Sequence, residues 1–229
     1  MERHFEVKIE ELKRILVLMG AYVEKALEEA AEALLKEDRA RFQKVHEIEK
    51  KINDEQLRID NFCIELLAKQ GPVAKDLRFI VAVIKINTDL ERMGDQCVNI
   101  AYSGYDYLQY NLPIDCPEIR QMVTDVKAMV KQSLDAFVKG DEAIAQAVML
   151  MDDRVDENKR AVLRRLEEGM VNSPQWIKPS LNLISIGRSL ERLGDHATNI
   201  AEDVIFASSG RDIRHGKDFH PSTAVGRSK

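Results

Sequence analysis

The chain repeats itself. The run Ile86-Asn-Thr-Asp-Leu-Glu-Arg-Met-Gly-Asp-Gln-Cys-Val-Asn-Ile-Ala101 aligns with Ile186-Gly-Arg-Ser-Leu-Glu-Arg-Leu-Gly-Asp-His-Ala-Thr-Asn-Ile-Ala201 at an offset of 100, with nine of sixteen positions identical. Upstream, Ala33, Lys36, Asp38, Gln43 and Val45 align with Ala136, Lys139, Asp141, Gln146 and Val148 at an offset of 103. The three-residue difference falls between the two matches, where one half carries Gly71-Pro72 and the other Ser173-Pro174, and loops accept such insertions. A duplicated unit closes its own apolar seam and then packs against its twin.

Each unit reads as helical. Ile9, Leu12, Leu16, Met19, Val23, Leu27, Ala30 and Leu34 recur at i, i+3, i+4 and i+7, and Phe42 to Leu66 continues the same period. Asp38 stands where an N-cap belongs, and Gly71-Pro72 is a stop. The periodicity and breakers predict helices at about 5–36, 38–70, 73–110, 118–139, 141–169 and 176–208. With only 11 Gly and 6 Pro in 229 residues, a many-stranded protein lacks its turns. The expectation is an all-α fold of two tandem three-helix bundles, six long helices in all. The first repeat should span 1–111, the second 117–209, and 210–229 should be a flexible polar tail.

Several function classes are excluded. A net charge of −5 and 6% aromatic residues give nucleic acid neither clustered cations nor stacking rings. Cys63, Cys97 and Cys116 are odd in number and lack C-x-x-C spacing, so they read as buried thiols of a reducing compartment. The charged N-terminus has no apolar leader, and no apolar run approaches the ~20 residues of a membrane span. The expected location is cytoplasmic, with membranes met only through partners. Phosphate-cradling glycine loops and a serine-nucleophile elbow are also missing.

The duplicated motif puts acids on one helix face. At 100° per residue, Glu91, Asp95 and Asn99 stack opposite the apolar stripe of Ile86, Leu90, Met93 and Cys97, and Glu191, Asp195 and Asn199 do the same in the second copy. Such a stripe is often only a solvated face. Against that, like charges at i, i+4 are mildly unfavourable without a cation between them. Gly94 and Gly194 sit inside helices, where Gly costs roughly 1 kcal/mol relative to Ala. The helix before each motif carries a polar pair at the same spacing, Glu49 and Asn53, then Asp152 and Asp156. Antiparallel neighbours would bring each pair to its motif, making a site of oxygen ligands suited to magnesium, manganese, calcium or iron. A di-iron core enzyme would need Glu-x-x-His motifs, which are missing. His196 reads as a surface histidine or accessory ligand, and Trp176 as a packing residue at the start of the last helix.

The doubled L-E-R-[ML]-G-D at 90–95 and 190–195, the acidic pairs one helix earlier and the A-K-D-L-R-F run at 74–79 resemble the PhoU family of phosphate-uptake regulators, from about residue 5 to 208. The resemblance implies paired three-helix bundles with multinuclear clusters of divalent or trivalent metal (iron, manganese, magnesium or zinc) on their surface. Carried over, the ligands are Glu49, Glu91 and Asp95 in the first unit and Asp152, Asp156, Glu191 and Asp195 in the second. Asn53 departs from the acidic pattern and implies a weaker first site. The implied role is regulatory and not catalytic: a negative regulator of the phosphate-starvation response and of phosphate uptake, commonly a homodimer. Its implied partners are the ATPase subunit of the phosphate ABC transporter and the phosphate-sensing histidine kinase. Two readings compete with it, a metal-dependent phosphoesterase and a purely structural helical dimerisation module.

Overall fold

The computed structural model describes residues 2–72 and 74–213. Six helices carry the chain: α1 (Glu2–Leu35), α2 (Arg39–Gln70), α3 (Ala74–Tyr107), α4 (Pro117–Lys139), α5 (Glu142–Asn172) and α6 (Ile177–Ser209). Single 3-10 turns, Leu108–Tyr110 and Pro174–Trp176, lie beside α3 and α6, and no strand occurs among the described residues. The all-α expectation is met, and α1–α3 and α4–α6 form the two three-helix units.

The signals at helix ends act as their chemistry dictates. Asp38 accepts the Ala40 N–H at 3.1 Å, and Asp141 accepts those of Ala143 and Ile144 at 2.8 and 3.2 Å, so both are N-caps. Gly71 and Gly140 end α2 and α4 in the left-handed conformation. Gly169 does not end α5, which runs on to Asn172. Gly169 instead lies directly against the Trp176 ring, which packs as expected.

One apolar cluster runs through both units. Leu12, Leu16 and Met19 of α1, Leu90 and Met93 of α3, Met122 of α4 and Leu190 and Leu193 of α6 are fully buried. Each such side chain contributes roughly 1.5–3 kcal/mol relative to exposure. Cys63, Cys97 and Cys116 are buried free thiols, and burial pushes each thiol up, Cys97 to about 12.

The units meet chiefly through α3 and α6. Lys85 donates to Asp203 at 3.0 Å, and Asn199 donates to Asp89 at 3.2 Å. These pairings run in opposite directions along the two helices, so α3 and α6 are antiparallel and their register crosses near residues 94 and 194. Gly210 caps α6, its N–H donating to the Phe206 carbonyl, and Ile213 beyond it is buried. Residues 214–229 of the expected tail, His215 and His220 included, lie outside the described residues.

Leu190→Ala should cost about 2–5 kcal/mol, because a fully buried leucine leaves a cavity shared by both units. Urea unfolding checks this, and a single lowered transition for both halves is the expected outcome.

Candidate functional site

The crossing of α3 and α6 sets both acidic motifs at the middle of the molecule. The apolar stripe predicted for each helix is buried, so Glu91 and Glu191 stand at the edge of the packed face, while Asp95, Asn99, Asp195 and Asn199 are exposed. The glycines show why α2 and α5 lie close beside them. A Cβ on Gly94 would meet Ile52 of α2 at 3.1 Å. One on Gly194 would stand 3.5 Å from Asp152 Oδ1 and 3.6 Å from Val155 Cγ1 of α5. The missing Cβ thus eases close packing at Gly94, whereas at Gly194 a Cβ would make only ordinary contacts with α5, whose Asp152 lies over the motif of α6.

Electrostatics places the second cluster together. Burial, then Asp195, Asp156, Asp153 and Glu191, push the Asp152 carboxyl up to about 6. Asp195 is raised by burial, Glu191 and Asp156, with His196 and Lys159 opposing. The four expected acids, Asp152, Asp156, Glu191 and Asp195, thus share one neighbourhood and repel one another. In the first unit, burial, Asp95 and Glu49 raise Glu91, with Arg92 and His196 opposing. Glu49, Glu91 and Asp95 are neighbours there. Asn53 donates from Nδ2 to Glu49 Oε1 at 2.6 Å, and its buried Oδ1 has no hydrogen-bond partner.

These residues fit a hard cation in kind. Each cluster offers oxygen donors, the second carries four negative charges held close, and the first holds an orphaned amide oxygen of the kind a cation satisfies. In the positions they occupy, no three His, Cys, Asp or Glu side chains among the described residues converge on one ligand point. Asn53 engages Glu49, and Lys159 of α5 donates to Glu191 as its ion-pair partner. Lys159 is the protein's own counter-charge at the second cluster.

Sequence reading missed Lys159 and did not find the partner of His196. Lys159 follows Asp152 and Asp156 at i+7 and i+3, which puts it on their face of α5, so a helical wheel would have found it. His196 is not a simple surface residue. It is half-buried, and its Nδ1 lies 2.8 Å from Asp89 Oδ1, the carboxylate that also accepts from Asn199. Asp89 lies outside the repeated identity, with Ser189 as its counterpart, so nothing in the pattern singled it out.

The fold and the site define an internally duplicated helical protein with an acidic cluster on each half. A family model described as PhoU domain matches residues 16–103 and again 119–204. The chain belongs to the PhoU family. It is 38% identical over 216 residues to the phosphate-specific transport system accessory protein PhoU homolog of Pseudomonas aeruginosa, covering 94% of this chain and 89% of that one. The homolog of the same name from Clostridium acetobutylicum is 36% identical, covering 91% and 96%. The crystal structure of PhoU from Pseudomonas aeruginosa superposes with a TM-score of 0.88 at 37% identity, covering 90% of this chain and all of that one. The phosphate transport system regulatory protein PhoU from Streptococcus pneumoniae gives 0.84 at 26% identity, covering 91% and 98%.

The raised Asp152 carboxyl carries a stability prediction for metal-free protein. The folded state holds this proton more tightly than the unfolded chain does, so stability falls as pH rises from about 4 to 6 and stays lower above. Asp152→Asn removes that repulsion. After allowance for partial solvation, it should stabilise the metal-free protein by about 1 kcal/mol at pH 7.5 and by nothing near pH 3.5. Denaturant melts at the two pH values decide it.

Proposed function

We propose that the protein is a cytoplasmic negative regulator of the phosphate-starvation response and of phosphate uptake. It acts as an adaptor between the phosphate ABC transporter, through its ATPase subunit, and the phosphate-sensing histidine kinase. The observation that carries this reading is likeness along nearly the whole length, to proteins named as accessory to or regulatory of phosphate transport. Three structural features support it. Among the described residues no helix is long and apolar enough to cross a membrane. The acidic clusters lie on open helix faces and not at the bottom of a shaped pocket, which favours contact over turnover. Rigid helices of 31–34 residues in α1, α2, α3, α5 and α6 present long surfaces to partners.

Within this reading the acidic clusters are metal centres. Glu49, Glu91 and Asp95, joined by the Asn53 carbonyl, hold the first. Asp152, Asp156, Glu191 and Asp195 hold the second and stronger one. Bound iron, manganese, magnesium or zinc supplies positive charge that cancels the repulsion among these carboxylates. Asp152 and Asp156 of α5 and Glu191 and Asp195 of α6 would hold the ion, and Lys159, which pairs with Glu191, would be the cation competing with it. The protein works as a homodimer.

Two experiments test the proposal. Deleting the gene should raise expression of phosphate-starvation genes in phosphate-rich medium, read with a promoter fusion, and unchanged expression would sink the regulatory reading. Elemental analysis of natively purified protein should find metal that disappears from a variant with alanine at Glu91, Asp95, Glu191 and Asp195. Wild type that stays empty after incubation with Fe²⁺, Mn²⁺, Mg²⁺ and Zn²⁺ would return these residues to a solvated face.

A further inference from the structure

One cleft lies far from the acidic clusters. It lies about 18 Å along α3 from Glu91, at the end where α1, the start of α3 and the ends of α4 and α6 come together, and encloses about 440 Å³. Its wall is apolar. Phe79 of α3 and Phe137 of α4 stack with centroids 5.7 Å apart, and Ile9 and Val204 line it beside them. Val138 on the rim is 51% exposed. The mouth is basic, with Lys13, Lys75 and Lys139 against the single acid Asp76. Lys13 pairs with Glu10 at 2.6 Å and covers the Phe79 ring, whereas Lys75 and Lys139 make no ion pair among the described residues. A local excess of cations around aromatic surface stands out in a chain of net charge −5.

The duplication indicates what such a cleft accepts. Phe137, Val138 and Gly140 correspond to Leu34, Leu35 and Glu37 of the first repeat, and Ala207 corresponds to Tyr107. At that opposite end the connector between the repeats lies against those residues, its Pro113, Ile114 and Asp115 bordering the same hollow. Ile114 is 7% exposed, and its backbone N–H donates to Tyr107 Oη at 2.9 Å. The chain thus covers one end with an extended segment that sets an apolar side chain beside an acid. At the Lys-rimmed end the described residues bury Ile213 and leave the cleft open among themselves. Residues 214–229 carry Arg214, Lys217, Arg227 and Lys229 against Asp218 alone, the wrong sign for a lysine mouth.

We propose that the cleft between Phe79, Phe137 and the lysines 13, 75 and 139 is a docking site for an acidic, apolar-tipped extended segment of a partner protein. The apolar side chain seats against the two rings while flanking carboxylates meet Lys75 and Lys139. The inference does not depend on the metal or regulatory reading. It concerns another surface, and metal content measured on the same sample reports on that reading separately.

The test uses full-length protein and three fluorescein-labelled peptides. One sets a Leu-Pro-Ile core between Asp and Glu residues, one replaces the acids by Lys, and one replaces Leu and Ile by Ala. The acidic apolar peptide should bind wild type, and the two controls should bind at least about tenfold more weakly. The triple variant Lys13→Glu, Lys75→Glu, Lys139→Glu and the separate variant Val138→Asp should each weaken the acidic peptide about tenfold or more. Val138 is exposed, so that variant keeps its fold if the triple variant does not, with helicity checked by circular dichroism. No binding at millimolar peptide overturns the proposal, as does equal binding by either variant or by the Lys-flanked peptide. So does failure of the peptides while phosphatidylglycerol vesicles bind wild type and not the triple variant, which would make the surface a lipid contact. Stronger peptide binding after removal of residues 214–229 would make the cleft's occupant the chain's own tail and also overturn it.

Discussion

The antiparallel crossing of α3 and α6 is the constraint on which the rest depends. It is the seam between two copies of one unit, and its register fixes where everything else stands. Lys85 with Asp203 and Asp89 with His196 and Asn199 are polar pairs at this seam, with Asp89 and Asp203 almost fully buried. A buried carboxylate is costly unless its oxygens are paired, and hydrogen bonds to charged groups contribute roughly 1.5–3 kcal/mol. Apolar packing of Leu90, Met93, Leu190 and Leu193 supplies most of the adhesion, whereas the polar pairs penalise any slip. A shift of one helical turn would take His196 and Asn199 from the buried Asp89 and separate Lys85 from Asp203. Because the crossing is centred near residues 94 and 194, the motif of each half is held at mid-molecule, beside the helix that completes its cluster.

The same geometry explains how a folded protein tolerates four close carboxylates. Their repulsion acts on open helix faces, where solvent screens it, and the core beneath is untouched. Lys159 neutralises Glu191, and His196, adjoining Asp195 and near Glu91, offsets both clusters in part. Asp152 bears what remains, since it is half-buried and pressed over Gly194 by the approach of α5. The first cluster has a milder version of the conflict. Asn53 replaces a fourth acid and turns its amide to Glu49, which leaves its carbonyl oxygen buried and unpaired.

Much of this was legible in the sequence because duplication and helical period are one-dimensional signals. The alignment of 86–101 with 186–201 identified the repeat, and the stripe of Ile86, Leu90, Met93 and Cys97 identified the buried face, so Glu91 and Asp95 had to lie away from it. Glycine-proline pairs and N-cap aspartates marked most helix ends. Gly169 misled because a glycine inside a helix can serve packing as well as termination, and here Trp176 takes the space its side chain would fill. His196 was unreadable for a different reason. Its partner Asp89 is 107 residues away and has no acidic counterpart in the other repeat, so only the tertiary register joins them. The rotameric state of the clusters is equally three-dimensional, since no pattern tells whether Glu191 turns to Lys159 or to its acidic neighbours.

Duplication first makes two of everything, and specialisation then shows where the copies differ. Most core positions of α3 and α6 differ little, as packing requires. The differences gather at the clusters, at the seam and at the two ends. Asp152 and Asp156 stand where the first repeat has Glu49 and Asn53, which gives the two clusters unequal charge. Asp89 stands where the second repeat has Ser189, so the carboxylate that meets His196 and Asn199 has no acidic counterpart in the other half. At the ends, one repeat is followed by a connector that buries Ile114, and the other leaves aromatic rings beneath a lysine rim. These places differ in kind, since the clusters and the lysine rim reach solvent, whereas Asp89, Ser189 and Ile114 are buried. One frame of six helices thus carries different chemistry on its two halves.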